Sequence, residues 1–137
     1  MAEFVMKKLV NDKGLSSSFI IESKATSREE IGNSPHPGTL RKMREFNIPV
    51  CKHTASQMTA SDYNRYDYII GMDRNNYSNI IRITGADNSG KIFLLRDFTS
   101  HPGDIADPWY TGNFDITYDQ IYEGCTSLLN YLLEKGV

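Results

Sequence analysis

The chain has 137 residues, which is enough for one domain and too few for two of ordinary size. Hydrophobic residues make up 39% and charged residues 23%, so the composition is that of a globular protein rather than a disordered one. A net charge of −2 without a basic run argues against a nucleic-acid partner, and no apolar run is long enough to span a membrane.

The opening stretch, MAEFVMKKLVNDKG, predicts an amphipathic helix rather than a signal peptide. Phe4, Leu9 and Val10 contribute to an apolar stripe, and Gly14 ends the helix. No residue before Met1 is present to cap the first amides. Because the chain's 2 cysteines do not make a disulfide framework, we expect a cytoplasmic protein.

The next segments read as a strand, a loop and a helix. FIIES, residues 19–23, begins with a continuous apolar run that is typical of a parallel strand buried on both faces. Residues 24–38 are dense in Ser, Pro, Gly and Asn, which predicts a long loop. Pro37 is placed to lead into a helix over about Thr39 to Phe46.

Two further strands and two helices follow in the middle of the chain. Thr59 and Asp62 form a candidate capping box for a brief helix. YDYIIGM and KIFLL predict strands, and Asp73 is placed to cap a helix through Ile81 between them.

The last helix follows a long loop, residues 96–115, that is rich in Pro, Gly and Asp. Thr117 and Gln120 form a candidate capping box, and Gly136 ends the helix. Its predicted core stripe consists of Tyr118, Ile121, Tyr122, Cys125, Leu128, Leu129 and Leu132.

Strands and helices alternate along the chain, which predicts an α/β protein with a short parallel sheet and helices on both faces, a three-layer arrangement. In such sheets ligands bind at the carboxyl ends of the strands, next to helix N-termini. The first predicted element here is a helix, without the strand and turn that normally lead into one.

Five stretches, MAEFVMKKL, SKATSREEIGNSPHPGTL, HTASQ, YDYIIGMDRNN and IADPWYTGNFD, closely resemble the low-molecular-weight protein-tyrosine phosphatases of the bacterial type. The resemblance implies that family's fold, with strand order 2-1-3-4, over a single domain at residues 1–137. In the family a first strand and a C-x5-R-S-P phosphate loop run directly into the first helix. We therefore expect a family member that is truncated at the N-terminus, with its central strand and phosphate loop absent from these residues.

The resemblance implies that Asp107 is the general acid, which protonates the leaving phenolate and then activates water against the phosphoenzyme. The residues support this role in part, because Pro108 restricts Asp107 to extended backbone and Trp109 lies beside it. On the residues alone, Asp-Pro is also ordinary loop chemistry.

Substrate contacts are implied for three residues. Trp109 and Tyr110 resemble the aromatic wall that flanks a phosphotyrosine ring, although aromatic residues also serve as packing residues. Glu29 lies where many relatives carry an aromatic or apolar residue on the other side of the pocket. This departure leaves phosphotyrosine, phosphoarginine and small phosphate esters open as substrates.

Ser23, His53 and Asp73 match positions that hold the phosphate loop in shape in the family. The other two histidines, His36 and His101, lie in loops without metal-ligand spacing, so we expect neither a metal nor another cofactor.

No substitute nucleophile is found in the sequence. A C-x5-R pattern would place arginine at Gln57 after Cys51 and at Tyr131 after Cys125, and neither cysteine lies in a glycine-rich turn. Both are expected to be small core residues.

The expected function is a phosphatase that acts on a phosphorylated protein or an aryl phosphate but is inactive as this chain alone. A non-catalytic relative that binds phosphate or a partner is an alternative, and an arsenate reductase is disfavoured because its extra cysteine pair is missing. Without the first strand, two arrangements are open: a second chain fills the gap by dimerisation or strand exchange, or FIIES pairs with YDYIIGM. A longer natural chain is the third explanation.

Overall fold

Helices and short strands alternate in the computed structural model, which describes residues 1–26, 36–50, 56–106 and 113–136. These residues include two short 3-10 helices, Ser16–Ser18 and Leu95–Phe98. The helices are α1 (Ala2–Asp12), α2 (Pro37–Glu45), α3 (Asp62–Arg65), α4 (Arg74–Thr84) and α5 (Phe114–Glu134), and the strands are β1 (Ile69–Gly71) and β2 (Ile92–Leu94). No helix of these parts is long and apolar enough to cross a bilayer.

The strands predicted at YDYIIGM and KIFLL are confirmed, although each is shorter than the apolar run that indicated it. β1 and β2 pair in parallel, with Ile69 opposite Ile92 and Gly71 opposite Leu94. The α4 helix connects them along the chain, and Asp73 caps its N-terminus as predicted. The parallel order of the strands therefore follows from the β-α-β connection.

Side chains from the two faces of the sheet enter different cores. Ile69 and Ile92 pack with Ile80 of α4, whereas Ile70 packs against the core that α1 and α5 share. Successive side chains of a strand point to opposite faces of the sheet, and here both faces are covered by other elements. The three-layer arrangement predicted from the sequence is confirmed.

The strand predicted at FIIES is wrong for the described structure. Residues 19–24 form no ladder with β1, and the isolated parallel bridge in this region joins Ala25 to Gln57. Ile20 is 84% exposed, which contradicts burial on both faces. A strand needs a neighbouring backbone for its hydrogen bonds, and the described residues place none along this segment. The expected alternative in which FIIES pairs with YDYIIGM is likewise not observed.

Helix ends mostly follow the sequence signals. The α1 helix is confirmed, and Gly14 after it has a positive φ of 70°. The α2 helix begins at Pro37. The Asp62 carboxylate accepts the Thr59 N–H, which is one half of the predicted capping box, but Ser61 and not Thr59 holds the cap position of α3. Gly136 follows α5 with a φ of 85°.

The α5 helix begins one turn earlier than predicted. Asn113 is its cap, because its side-chain oxygen accepts hydrogen bonds from the amides of Asp115 and Ile116. The predicted capping box at Thr117 and Gln120 is therefore wrong. The core stripe is confirmed except at Tyr122, which is 46% exposed.

Candidate functional site

The predicted site residues divide between described and undescribed parts of the chain. Ser23 and Asp73 lie within the described residues, where the structure locates their partners. Five predictions lie outside the described residues: Glu29, His53, Asp107, Trp109 and Tyr110.

Asp73 lies at the carboxyl end of β1, where the parallel sheet meets the N-terminus of α4. Its side-chain oxygen accepts a hydrogen bond from the Asn76 amide at 2.7 Å, and the Asn76 side chain accepts one from the Met72 amide at 3.1 Å. The pair fixes the turn from strand to helix. The sequence prediction missed Asn76, which is recognisable only as a polar residue at the third helical position after a capping Asp.

Ser23 lies against the first turn of α1. Its hydroxyl donates to a Glu3 carboxylate oxygen at 2.6 Å, and the other carboxylate oxygen of Glu3 accepts from Lys7 at 2.6 Å. The Glu3 side chain is only 8% exposed, whereas Ser23 is exposed and the Lys7 side chain is 41% exposed. Ser23 thereby joins segment 19–24 to the N-terminal end of α1.

The residues that precede Asp107 are held to the body of the domain. The Ile105 amide donates to the Met72 carbonyl at 2.9 Å, directly beside the end of β1. Asp104 accepts a hydrogen bond from the Arg74 amide at 3.0 Å through its side chain, and from Arg96 at 2.9 Å through its carbonyl. This segment therefore lies at the carboxyl end of the sheet, where the alternation of strands and helices places the site.

Two side chains of α5 hold the last described residue of the same segment. The Ala106 amide donates to the Gln120 side-chain oxygen at 2.6 Å, and the Ala106 carbonyl accepts from the Thr117 hydroxyl at 2.7 Å. The residues mistaken for a capping box are thus contacts to the loop. Farther along α5, the Cys125 thiol faces the Ala2 carbonyl of α1 at 3.8 Å. Eight residues separate Thr117 from Cys125, a rise of about 12 Å along the helix.

The thiol of Cys125 is unsuited to nucleophilic attack. Its side chain is 1% exposed, and burial raises its pKa to about 12. The thiolate, which is the attacking form, is therefore disfavoured. The expectation that Cys125 is a core residue of the last helix is confirmed, and Cys51 lies outside the described residues.

His36 serves the backbone. Its ring nitrogen accepts from the Gly38 amide at 2.9 Å at the start of α2. Residues 1–26, 36–50, 56–106 and 113–136 contain no group of three or more acidic, histidine or cysteine side chains arranged to hold a metal ion.

A cleft of about 440 Å³ opens beside the later turns of α1. Phe4 and Phe19 contribute apolar walls, and Lys7 and Lys8 lie at its rim. Both lysines are already paired with carboxylates of the same helix. Since neither Asp73 nor the segment before Asp107 lines it, this cleft is separate from the carboxyl end of the sheet.

The sequence of this chain is similar to proteins of a known family. A family model described as low molecular weight phosphotyrosine protein phosphatase matches residues 1–137. The low-molecular-weight protein-tyrosine-phosphatase PtpA of Staphylococcus epidermidis is 30% identical over 137 residues, which are 99% of this chain and 86% of PtpA.

Solved structures give the same result for the fold. YfkJ from Bacillus subtilis is 32% identical with a TM-score of 0.93, and the match covers 98% of this chain and 86% of YfkJ. SP-PTP, a low molecular weight protein tyrosine phosphatase from Streptococcus pyogenes, is 39% identical with a TM-score of 0.85 over 96% of this chain and 82% of its own. The predicted fold class is confirmed by these similarities.

Proposed function

Because the chain belongs to the low-molecular-weight protein-tyrosine phosphatase family, we propose that residues 1–137 form one domain that carries the acid–base residue and the scaffold of a phosphotyrosine phosphatase. The observation that carries this proposal is a family match over the whole chain, which includes the IADPWYTGNFD stretch. The anchored segment 104–106 supports it, because it brings the chain to the carboxyl end of β1 immediately before Asp107.

The proposed chemistry assigns two proton transfers to Asp107. A cysteine thiolate of a C-x5-R loop attacks phosphorus, the bond to the phenolic oxygen breaks, and Asp107 gives its proton to the leaving phenolate. The Asp107 carboxylate then takes a proton from water as the water oxygen attacks the phosphocysteine. Phosphate leaves and the thiolate is restored.

Substrate recognition is proposed for the residues that follow Asp107. Trp109 and Tyr110 stack against an aryl ring, which favours a phosphorylated tyrosine or a small aryl phosphate. Glu29 is proposed on the opposite side of the ring, where its carboxylate distinguishes this protein from relatives with an apolar residue there. A tyrosine phosphopeptide with a basic neighbour would suit that charge.

Ser23, His53 and Asp73 are proposed to support the phosphate loop. The contacts of two of them are consistent with this role: Ser23 binds Glu3 in the first turn of α1, and Asp73 fixes the turn after β1. Asp73 lies at the carboxyl end of β1, where ligands bind in parallel sheets, and Ser23 contacts the N-terminal turn of α1.

We further propose that these 137 residues do not hydrolyse phosphate esters by themselves. Neither cysteine is followed by arginine at the C-x5-R spacing, and the Cys125 thiol is buried with a raised pKa. The attacking thiolate and the arginine that binds phosphoryl oxygens therefore have no counterpart in this sequence.

The experiment compares this chain with an extended chain, in which a strand and a C-x5-R-S-P loop of the family pattern are joined ahead of Met1. We expect no turnover of p-nitrophenyl phosphate by the chain of 137 residues and measurable turnover by the extended chain. In the extended chain, Asp107→Asn should lower kcat by roughly 100-fold to 10,000-fold, the usual contribution of a general acid.

The matched control is Asp104→Asn, because Asp104 lies three residues earlier and contacts the Arg74 amide. It should lower kcat far less than Asp107→Asn. Turnover by the chain of 137 residues, or an unchanged kcat in extended Asp107→Asn, would contradict the proposal.

A further inference from the structure

We propose that Thr117 and Gln120 are positioning residues that fix the backbone from which the Asp107 carboxylate projects. This inference rests on the proposed function, because it assigns these residues to the placement of the general acid. Neither side chain is needed to begin α5, since Asn113 caps that helix. Their shortest polar contacts are instead to the residue before Asp107, and the Thr117 hydroxyl has one longer contact, at 3.4 Å, to the Asn113 carbonyl.

The two contacts hold both polar groups of one residue. Gln120 accepts from the Ala106 amide at 2.6 Å, and Thr117 donates to the Ala106 carbonyl at 2.7 Å. Thr117 is 5% exposed, so its hydroxyl has little water to exchange for this contact. Residues three apart lie on the same side of a helix, which is why both reach a single residue.

The contact at the Ala106 carbonyl extends to Asp107 through covalent geometry. A peptide unit is planar, so the Ala106 carbonyl lies in one plane with the amide nitrogen and Cα of Asp107. The sequence adds a second restriction, because a proline at position 108 disfavours helical backbone for the residue before it. A hydroxyl that holds this plane therefore limits the directions that the carboxyl group can take.

Other hydrogen bonds hold segment 104–106 at residues 104 and 105, so the contacts from α5 are those nearest to Asp107 in the sequence. The Ile105 amide binds the Met72 carbonyl, and Asp104 binds the Arg74 amide. Without Thr117 and Gln120, this chain would be fixed to the end of β1 but free to rotate at Ala106. Proton transfer needs a donor within hydrogen-bond reach of the leaving oxygen, so such rotation would impair it.

The test uses the chain as it exists and the fluorescence of Trp109. Trp109 is the 1 tryptophan in the sequence and lies two residues after Asp107, so emission excited at the indole band reports on this segment alone. We expect Thr117→Val to raise the acrylamide quenching constant of Trp109 about twofold or more, since losing one hydrogen bond shifts the held-to-released equilibrium by about fivefold.

The matched control is Thr126→Val on the same helix. Thr126 has a buried hydroxyl without a hydrogen-bond partner in the described structure, so the same change of atoms there removes no contact. We expect its quenching constant to equal that of the unaltered chain. Thr117→Ser, which keeps the hydroxyl, should restore the original value.

Gln120→Met is the second variant, and it serves if Thr117→Val does not fold. It removes the acceptor for the Ala106 amide, whereas Gln120→Glu retains one and should behave as the unaltered chain. Quenching constants of Thr117→Val and Gln120→Met equal to that of Thr126→Val would overturn the positioning role.

A second readout separates this inference from the proposed function. In the extended chain, Thr117→Val should lower kcat for phenyl phosphate more than for p-nitrophenyl phosphate, because the poorer leaving group depends more on a placed acid. Equal losses for both substrates would overturn the positioning role. An unchanged kcat in Asp107→Asn would instead overturn the general acid, while the Trp109 result would still report on the contacts.

Discussion

Cys125 is expected to be chemically inert in the native protein, and the raised pKa of its thiol gives the expected decrease in reaction rate. Burial of the side chain raises its pKa from 9.0 to about 12. At pH 8 about one thiol in ten is ionised when the pKa is 9, but only about one in ten thousand when it is 12. Because the thiolate is the reactive form, native Cys125 should react with Ellman's reagent at least about a thousandfold more slowly than an exposed thiol.

The assay uses a Cys51→Ser variant, in which Cys125 is the remaining thiol. Labelling is followed by absorbance in native buffer and in concentrated guanidinium chloride, and we expect rapid labelling only after denaturation. A Cys51→Ser, Cys125→Ser double variant gives the background. If native Cys125 reacted as fast as free cysteine, its burial would be refuted and it would become a candidate nucleophile.

Two predictions concern the scaffold. Burial by itself would raise the pKa of Asp87, but hydrogen bonds from the Tyr63 hydroxyl and neighbouring backbone amides outweigh it and lower the pKa from 3.8. The ionised Asp87 carboxylate therefore stabilises the folded protein above pH 3.8, and this stabilisation is lost as the pH falls through the lowered pKa. Asp87→Asn should therefore lower the free energy of unfolding by about 1–3 kcal/mol at pH 7, and urea titrations should show the difference narrowing below pH 4; a constant difference would contradict the assignment. Gly124→Ala should lower the melting temperature, because the new Cβ would lie 2.5 Å from Leu95. Such overpacking destabilises a core by about 1–3 kcal/mol, whereas the better helix propensity of alanine stabilises the helix by about 1 kcal/mol. Asn130→Ala, at an exposed position of the same helix, is the control that should not lower it, and a more stable Gly124→Ala would show that Leu95 yields.

The parts of the fold that local signals specify were predicted well. Asp73 ends a strand and caps a helix because an Asp at that position supplies the acceptor that the first amides lack. Gly14 and Gly136 follow helices in conformations that other residues adopt at a cost. In each case the deciding interaction lies within a few residues of the signal.

The start of α5 depends on a contact that no local pattern contains. Both Asn113 and Thr117 are suitable caps by residue type, and the sequence prediction chose the later one. The first turn forms because Phe114 packs on α2: its ring stacks on His36 with centroids 5.1 Å apart and covers Gly38, where a Cβ would lie 2.5 Å from the ring. With the helix begun at Asn113, Thr117 and Gln120 lie within α5, where their side chains bind Ala106.

The error at FIIES has a related cause. The apolar run led to a prediction of burial on both faces, but only Phe19 and Ile21 pack against the core, and both are only partly buried. The polar residues that follow make the segment's side-chain contacts to α3 and α4. Glu22 receives a hydrogen bond from Tyr66, Lys24 pairs with Asp62 at 3.4 Å, and Thr26 accepts one from Asn79 at 3.4 Å.

These polar contacts hold the segment beside α3 and α4 although its backbone has no ladder along residues 19–24. Ile20 then faces solvent although its sequence context is that of a sheet interior. An apolar run of this kind indicates that the segment is suited to burial in a sheet. Whether the segment is buried depends on which neighbouring elements the described residues place beside it. The contacts of Thr117 and Gln120 to Ala106 are of the same kind, because they depend on which neighbours the fold brings beside α5 and not on the local sequence pattern.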